Sequence, residues 1–414
     1  MEYFNLITKD QYNKILQEIA SSFEPPKETL PIDKSFERYS AGNITSSESL
    51  PGYRRSQVDG YAVISSDTFS ASSAPVYLEC LGTLPVDEDA SLKSITYGKC
   101  YRISTGGMLP ANADSVVMIE HTNPVSENTI EIVKPVSPME NVIREDEDIK
   151  IGELILSKGD RITSYHIGVL SSLGITEVEL FKKLDVSIIS TGDEIADIKD
   201  AVGPGKVRDV NSHTLLSLCK KYGTNPTALG IVKDNAEKIY EKLRMALEKS
   251  DLVLISGGSS VGTRDLTLDI IARFKNSNIL FHGIAIKPGK PTIMAKINEK
   301  FIFGLPGQVT SSIVSFFLTV LPLIKKLYKN NSSLPFINAT AGANIKSTLG
   351  REEWVKCRKE FDKDKMESIV YPVYSKSGVL GSFLKSDGFL IIPSNREGIK
   401  KGESGNFLPY DLIL

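Results

Sequence analysis

The feature that most constrains the fold is a succession of strands, glycine-containing loops and helices between residues 183 and 330. It begins with Val186–Ser190, a continuous and mostly apolar run of the kind found in strands covered on both faces. Helical spacing of apolar residues and an N-cap candidate, Asn235, predict helices between the strands. The predicted strands are 186–190, 228–232, 252–256 and 301–303, and the predicted helices are 212–222 and segments after Asn235 and Gly307. This alternation predicts a parallel α/β sheet with right-handed connections.

The regions before and after this α/β segment have a different sequence pattern. Short β-prone runs separated by turn residues occupy about residues 45–145 and predict a small all-β domain. A second set of short strands after about residue 328 predicts a β-barrel-like domain at the end of the chain. Because 414 residues exceed one ordinary core, a multidomain protein of the α/β plus β class is expected.

Composition excludes several functional classes. The net charge is −2 and the charges are interspersed, which argues against a nucleic-acid protein that relies on a basic field. The four cysteines form no CxxC pair, so free thiols in a reducing compartment are expected rather than zinc ligands or disulfides. No signal peptide is evident, and the most apolar stretch, Ile313–Ile324, is too short to span a bilayer. These features predict a cytoplasmic enzyme or binding protein with no membrane or nucleic-acid partner.

Three glycine-containing loops follow predicted strands, where ligands collect in open parallel sheets. They are Ser190–Glu194, Ser256–Asp265 and Gly304–Gly307. Glycine lets the backbone approach a ligand, and amides at a following helix N-terminus favour an anion. Any one loop could be a simple turn, but three at one sheet edge predict a site for a phosphate-bearing small ligand. GxxxxGK[ST] and GxGxxG are both absent, which weakens NTPase and dinucleotide-dehydrogenase interpretations.

Charged residues near these loops predict how an anion is held. Lys287 and Lys290, in a proline-stiffened KPGKP loop, supply two cations, each worth about 4 kcal/mol at 4 Å from a phosphate before desolvation. Glu194, Asp234 and Asp265 would repel a phosphate unless a divalent cation lies between them, and carboxylates beside phosphates are typical Mg²⁺ ligands. A capping role for these acids, above all for Asp265, is the alternative.

These motifs together resemble the molybdopterin molybdenumtransferase family, which comprises MoeA and the E domain of gephyrin. Arg55–Val63 is similar to the family's MDGYA motif, Ser104–Glu120 to its TGaxxPxgad stretch, and Arg144–Gly152 to its rxxGeDixxG motif. The loops described above match its TGdE, SGGvSvGxxD, KPGKP and GLPGNPVS signatures, although Gln308-Val309-Thr310 lacks the second proline of the last one. The motifs occur in the family's order over nearly the whole chain.

The resemblance implies four domains. Domain I is small, mixed and largely helical and consists of residues 1–44 and 146–182, with an all-β domain II of residues 45–145 inserted into it. Residues 183–330 would form a MogA-like, molybdopterin-binding α/β domain III, and residues 331–414 a C-terminal β-barrel-like domain IV. A homodimer is implied, with the active site between the α/β domain and the inserted domain of a second subunit.

The implied reaction is Mg²⁺-assisted insertion of molybdate, or tungstate, into adenylylated molybdopterin with release of AMP. The resemblance gives catalytic roles to five acids: Asp59, Asp148, Glu194, Asp234 and Asp265. Metal binding would fall to Glu194, Asp234 and Asp265. Substrate contacts would come from the loops and their neighbours: Thr105, Thr191, Gly192, Ser256, Gly257, Gly258, Ser260, Gly262, Lys287, Lys290, Pro306 and Gly307. Within that set, Ser256-Gly257-Gly258 is expected to hold the pterin-linked phosphate.

Two alternatives stay open at this point. One is a molybdopterin adenylyltransferase, which shares the SGG-type loop but lacks the flanking domains; such an enzyme could also hand its product to this chain. The other is a non-catalytic scaffold of the gephyrin kind. The intact acids and the absence of a long appended domain weigh against the scaffold.

Overall fold

The structure is a computed structural model that describes residues 6–257, 263–376 and 378–414; for residues 263–265 it describes the backbone only. The chain forms two compact units. The larger unit comprises Met1–Ala41, Lys158–Thr163 and Val178–Leu414, and the smaller unit comprises Gly42–Ser157 and Ser164–Glu177. Numbered in chain order, the helices are α1 Lys9–Ser22, α2 Ser164–Ser172, α3 Asn211–Lys221, α4 Ala236–Lys249, α5 Thr263–Ala272, α6 Val309–Leu327 and α7 Tyr410–Ile413.

The centre of the larger unit is a six-stranded sheet with the order β16-β13-β17-β21-β20-β18. Its first four strands are parallel, as predicted, whereas β20 and β18 add an antiparallel edge. The sequence analysis missed this edge because β20 and β21 are joined by a tight turn at Asn298 and Glu299 instead of a crossover helix. The strands are β13 Asp185–Thr191, β16 Asn225–Val232, β17 Leu252–Gly257, β18 Ser277–His282, β20 Ile293–Ile297 and β21 Lys300–Leu305.

Helices cover both faces of this sheet. Asn235 caps α4, as predicted, by accepting a hydrogen bond from the amide of Lys238 at 3.0 Å, and α4 buries Ile239, Leu243 and Ala246 against one face. On the other face, α6 and α1 share the main core with β13, β17 and β21. Helix α6 is 19 residues long and apolar enough to cross a membrane by length and composition, but most of it is buried, as in a core helix of a folded unit.

A β-barrel completes the larger unit. Strands β24, β25, β22, β28 and β26 form a ring that closes through pairing of β24 with β26, which confirms the predicted β-barrel-like region. The short strand β19 pairs with β24 and joins the KPGKP loop to the barrel. The strands are β19 Ile286–Lys287, β22 Ile337–Ala341, β24 Glu352–Asp362, β25 Glu367–Pro372, β26 Gly388–Ile392 and β28 Ser404–Pro409.

The smaller unit is built on a six-stranded half-barrel with the order β7-β4-β6-β5-β9-β8. Strand β4 is buried along its whole length between β6 and β7, so the residues just outside its ends are held firmly. The strands are β4 Gly60–Val63, β5 Val76–Leu84, β6 Lys99–Ile103, β7 Ser115–Met118, β8 Thr122–Ser126 and β9 Thr129–Ile132.

Short paired strands and 3₁₀ turns connect these parts. The paired strands are β1 Lys27–Pro31 with β12 Glu177–Phe181, β2 Ile44–Thr45 with β11 Leu154–Leu156, β3 Arg55–Ser56 with β10 Val142–Ile143, β14 Ile195–Ala196 with β15 Val207–Arg208, and β23 Ile345–Lys346 with β27 Gly398–Ile399. The 3₁₀ turns are Ile32–Lys34, Ser65–Ser72, Ala90–Leu92, Ile119–His121 and Leu380–Lys385. The architecture is the predicted multidomain α/β plus β class. The boundaries of the four domains stay a prediction.

Candidate active site

The carboxyl ends of β13, β17 and β21 open onto a cavity of about 580 Å³, here called the sheet cavity. Its walls come from all three predicted loops, the Ser256–Asp265 loop contributing Ser256 and Gly257, and from the start of α3 and α6, together with the β14–β15 ribbon. The lining includes Ser190, Glu194, Asn211, Ser256, Gly307 and Gln308. The structure thus brings the Ser190–Glu194 loop and the Gly304–Gly307 loop to one place, as the parallel strands require.

Two of the predicted glycines are required by the backbone itself. Gly257 has φ of +152°, and a Cβ atom there would lie 1.9 Å from the carbonyl oxygen of Thr191. Gly192 has φ of +147°, and a Cβ atom there would meet the Glu194 carboxylate at 2.9 Å. A larger residue at position 257 would therefore force β13 and β17 apart, and one at position 192 would be strained by its backbone conformation.

Asn211 connects two loops of the sheet cavity. Its Nδ2 donates to the Ser256 hydroxyl at 2.8 Å and to the carbonyl oxygen of Gly307 at 2.8 Å. Its Oδ1 is buried and has no hydrogen-bond partner within the described residues, and the same is true of the Ser190 hydroxyl. Ser190 and Ser256 are each only 2% exposed. The cavity wall therefore contains polar atoms that no described residue satisfies.

Acidic side chains gather beside the cavity. Burial, followed by the negative charges of Asp193 and Glu194, raises the pKa of Asp234, while the Asp193 amide donates to that carboxylate and opposes the rise. Glu194, Asp234 and Asp193 are thus close enough to repel one another. Even so, no group of three or more potential metal ligands is arranged around one point in the portion of the chain described here.

A second cavity, of about 350 Å³, lies where the KPGKP loop meets the barrel, and it is here called the barrel cavity. Lys287, Lys346 and Lys356 line it together with Thr310 at the start of α6. Lys356 is only 6% exposed, and its Nζ donates to the hydroxyls of Thr310 at 3.3 Å and Ser382 at 2.5 Å. Burial lowers the pKa of Lys356. The wall of this cavity therefore holds a buried ammonium group that donates to two neutral hydroxyls.

The two predicted cationic residues of the KPGKP loop differ in their surroundings. Lys287 forms an ion pair of 2.8 Å with Glu353, whose side chain is mostly buried. Its charge is therefore partly compensated before any ligand binds. Lys290 is half-buried and its carbonyl oxygen accepts from the Ile284 amide at 3.0 Å, which fixes the loop backbone.

Pro306 and Thr191 are buried supports of the cavity wall. Pro306 lies between β21 and Gly307 in the GLPG loop. Thr191, at the end of β13, lies against Gly257. Gly258, Ser260 and Gly262 lie outside the described residues, as does the side chain of Asp265, whose backbone belongs to the first turn of α5.

In the smaller unit, Asp59 and Thr105 lie together. Asp59 precedes β4, and its Oδ1 accepts from the amide of Thr105 at 2.7 Å and from the Thr105 hydroxyl at 3.1 Å. Backbone hydrogen bonds between Ser56 and the pair Gly106 and Gly107 hold the same two loops together. The MDGYA-like motif and the STGG stretch thus form one exposed polar element.

Asp148 is exposed on a turn of the smaller unit, where its amide donates to the carbonyl oxygen of Leu50 at 3.0 Å. No described hydrogen bond joins it to Asp59. The predicted acids are accordingly divided: Asp59 and Asp148 belong to the smaller unit, and Glu194, Asp234 and Asp265 to the larger one.

Asn211 and Lys356 are not among the predicted site residues, and Ser190 has no predicted role of its own. Asn211 directly precedes the predicted helix 212–222, where an asparagine is a candidate N-cap, and in the structure it is the first residue of α3. Lys356 lies in an alternating strand between Val355 and Cys357, and a lysine in a buried strand is a rare event that could have drawn notice.

An α/β sheet with a polar cavity at its strand ends, next to a cation-lined cavity at a β-barrel, is the arrangement of a multidomain protein with room for small polar or anionic ligands. Family models match almost the whole chain. The MoeA N-terminal region (domain I and II) matches residues 8–174, the model described as "probable molybdopterin binding domain" matches residues 187–326, and the MoeA C-terminal region (domain IV) matches residues 338–410.

Relatives agree with these models. A Haemophilus influenzae protein named molybdopterin molybdenumtransferase is 31% identical over 99% of this chain and 100% of its own length. A Methanocaldococcus jannaschii protein named for molybdopterin biosynthesis is 36% identical over 96% of this chain and 97% of its own. The crystal structure of the molybdopterin biosynthesis MoeA protein from Pyrococcus horikoshii OT3 has a TM-score of 0.80 at 29% identity, with 98% and 100% of the two chains covered. The chain belongs to the molybdopterin molybdenumtransferase (MoeA) family, and its activity is in molybdenum cofactor biosynthesis.

Proposed function

We propose that this transferase inserts molybdate, or tungstate, into adenylylated molybdopterin with release of AMP. The observation that carries the proposal is the pair of neighbouring cavities at the start of α6. One is lined by the neutral polar side chains of Ser190, Asn211 and Ser256, here called its floor, and the other has a buried ammonium group in its wall. Val309 borders the sheet cavity and Thr310 the barrel cavity. Binding at one helix start would keep the two substrates near each other, as a reaction between them requires.

The sheet cavity suits the pterin nucleotide. Its volume of about 580 Å³ is in the usual range for ligand sites, and its floor offers hydroxyl and amide groups, next to the buried carboxylate of Asp209. Lys206 and Arg208 on the β14–β15 ribbon supply positive charge at its rim. An anionic phosphate chain is therefore expected toward the rim and the neutral ring toward the floor.

The barrel cavity suits a tetrahedral oxyanion. The Lys356 ammonium group is already removed from water and held by Thr310 and Ser382. A dianion would supply the counter-charge that these hydroxyls lack, and a buried hydrogen bond to a charged group is worth about 1.5–3 kcal/mol. We assign molybdate to this cavity, with Lys287 and Lys290 on its approach. Molybdate and tungstate have the same charge and shape, so both fit this description.

The acids beside the sheet cavity fit a magnesium ion. Burial, followed by repulsion from Asp193 and Glu194, raises the pKa of Asp234, and a divalent cation would relieve that repulsion. Glu194 and Asp234 would hold the ion, with Asp265 as a third ligand. When bound, Mg²⁺ would polarise a phosphoryl oxygen and favour cleavage of the phosphoanhydride.

Asp59, Thr105 and Asp148 belong to the other unit, and we propose that they act in a homodimer whose active site includes the inserted domain of a second subunit. Asp59 has a defined orientation because it accepts two hydrogen bonds from Thr105. The enzyme is expected to work in the cytoplasm and to receive its substrate from a molybdopterin adenylyltransferase.

A direct assay supplies purified protein with adenylylated molybdopterin, molybdate and Mg²⁺, and measures AMP and the molybdenum cofactor. We expect AMP to be released only when molybdate is present, with no need for ATP. A strict requirement for ATP would support the adenylyltransferase alternative. Absence of both products at saturating substrate would support the scaffold alternative.

The shared site can be tested with a purified heterodimer. One chain carries Asp59→Asn and its partner carries Asp234→Asn. If each site combines the two units from different chains, one of the two sites is intact and about half of the wild-type activity remains. If each site is built from one chain, both sites carry a substitution and the heterodimer is as inactive as either homodimer.

A further inference from the structure

The floor of the sheet cavity has an unusual hydrogen-bonding pattern. Asn211 donates both of its Nδ2 hydrogen bonds to protein groups, Ser256 and Gly307. The Gly307 carbonyl can only accept, so the amide cannot be turned over without placing two acceptors against each other. This fixes Oδ1 as the free end of the Asn211 side chain.

Oδ1 of Asn211 is buried and has no partner among the described residues. Close by in the same wall, the Ser190 hydroxyl is also buried and unpartnered, in a residue that is 2% exposed. The Ser256 hydroxyl already accepts from Asn211, which leaves its hydrogen available to donate. Buried polar groups are nearly always hydrogen-bonded, so these atoms require a partner that the described residues do not provide.

The chemistry of these atoms identifies the partner. A carbonyl-type oxygen only accepts, so it repels the oxygens of a phosphate, which also accept at neutral pH. It attracts an N–H group. A flat heterocycle whose edge carries N–H donors beside acceptors, as the 2-amino-4-oxo ring of a pterin does, would pair with Asn211 Oδ1 and with the two hydroxyls together.

We propose that Asn211 and Ser190 are specificity-determining residues that read the N–H-bearing edge of the pterin ring. This inference rests on the proposed function and differs from the sequence-based expectation for Ser256. The floor of the cavity at Ser256 binds the ring, and the phosphate lies farther out, toward Lys206 and Arg208. Asn211 also holds the loops that follow β17 and β21 at a fixed separation, through its hydrogen bonds to Ser256 and Gly307.

Ser190→Ala gives the cleanest test because it removes an unpartnered hydroxyl and breaks no described hydrogen bond. Ser312→Ala is the matched control: Ser312 is 1% exposed on α6, its hydroxyl is also buried and unpartnered, and it does not line the sheet cavity. The probes are molybdopterin, titrated without oxygen, and inorganic pyrophosphate, both followed by calorimetry.

We expect Ser190→Ala to weaken molybdopterin binding about tenfold, the usual effect of one buried hydrogen bond, with a melting temperature within about 2 °C of wild type. Pyrophosphate binding should not change, and Ser312→Ala should bind both probes as wild type does. Asn211→Ala should weaken molybdopterin binding at least as much and also lower the melting temperature.

Equal molybdopterin affinity in Ser190→Ala and Ser312→Ala would overturn the inference. An equal loss of pyrophosphate and molybdopterin affinity would also overturn it, because the floor would then bind the phosphate. Either result leaves the proposed function intact as long as the wild-type protein still releases AMP in a molybdate-dependent manner.

Discussion

The sheet cavity and the barrel cavity lie on either side of the first turn of α6, yet they are built on opposite principles. The floor of the sheet cavity consists of a carboxamide, hydroxyls and backbone carbonyls that are spatially fixed. The wall of the barrel cavity contains a buried ammonium group that donates to two hydroxyls and lies 5.3 Å from the centre of the Phe383 ring. The first arrangement discriminates by hydrogen-bond pattern, and the second by charge.

This contrast between a hydrogen-bonding cavity and a charged cavity explains how one enzyme can select two unlike substrates. A neutral heterocycle offers direction but no net charge, so a rigid set of donors and acceptors recognises it. A small dianion offers charge but a nearly spherical shape, so a desolvated cation binds it without strict geometry. Substitutions in the two cavities should therefore affect different substrates.

The largest effect is expected from Lys356→Met, which replaces the buried ammonium group with an apolar side chain of similar length. The molybdate concentration needed for half-maximal cofactor formation should rise about 100-fold, as expected for a lost charge-assisted hydrogen bond. Molybdopterin affinity should stay within about twofold of wild type. Steady-state kinetics with each substrate varied in turn provide the measurement.

Lys346→Met is the matched control, because Lys346 lines the same cavity but is exposed. Screening by water and salt should limit its effect to a few-fold at most. If the two methionine variants lose molybdate affinity equally, burial of Lys356 has no special role, and the comparison between the cavities fails.

A smaller but broader effect is expected from Asn211→Ala. The Gly307 carbonyl and the Ser256 hydroxyl lose their shared donor, which should lower the free energy of unfolding by about 1–3 kcal/mol. Chemical denaturation measures this loss. Ser190→Ala should show none of it, since no described hydrogen bond depends on that hydroxyl. Equal unfolding curves for Asn211→Ala and wild type would show that Asn211 does not hold the two loops together.

The pH dependence of molybdate affinity should further distinguish the barrel cavity from the sheet cavity. Burial lowers the pKa of Lys356, so its ammonium form is lost on raising the pH before an ordinary lysine would lose its proton. Molybdate affinity should therefore fall as the pH rises toward that pKa, while molybdopterin affinity stays level. Lys356→Arg keeps its charge throughout this range, so its molybdate affinity should stay level as well. A parallel fall in wild type and Lys356→Arg would assign the titration to another group.

The smallest effect concerns the acids. Without Mg²⁺, Glu194→Gln should stabilise the fold slightly, by no more than about 0.5 kcal/mol, because it removes an exposed repulsion with Asp234. With Mg²⁺, the variant should be stabilised less than wild type by the ion. Thermal melts in EDTA and across a Mg²⁺ series measure both effects. Identical Mg²⁺ responses in the two proteins would remove Glu194 from the proposed metal site.

Much of this fold could be predicted from the sequence because its elements are locally encoded. Buried parallel strands such as β13 are recognisable as apolar runs, and Asn235 marks the start of α4 by its capping chemistry. The antiparallel edge was less accessible, because the Asn298–Glu299 turn that creates it carries no strong glycine signal.

The site was predictable where backbone geometry requires a particular residue. Gly192 and Gly257 have positive φ and are crowded by their neighbours, so their loops were recognisable as a motif. Asn211 and Lys356 were not recognisable, because their significance depends on which atoms the tertiary structure leaves buried. The spacing of residues along the chain does not indicate which oxygen will lack a hydrogen-bond partner or which amine will be buried.

The central claim is that the two cavities bind different substrates. The most direct test measures KM for adenylylated molybdopterin and for molybdate in wild type, Ser190→Ala and Lys356→Met under the same conditions. The account predicts a crossed result, in which Ser190→Ala raises only the first KM and Lys356→Met raises only the second. If each variant raises both KM values to the same extent, the two cavities act as one site and the account is contradicted.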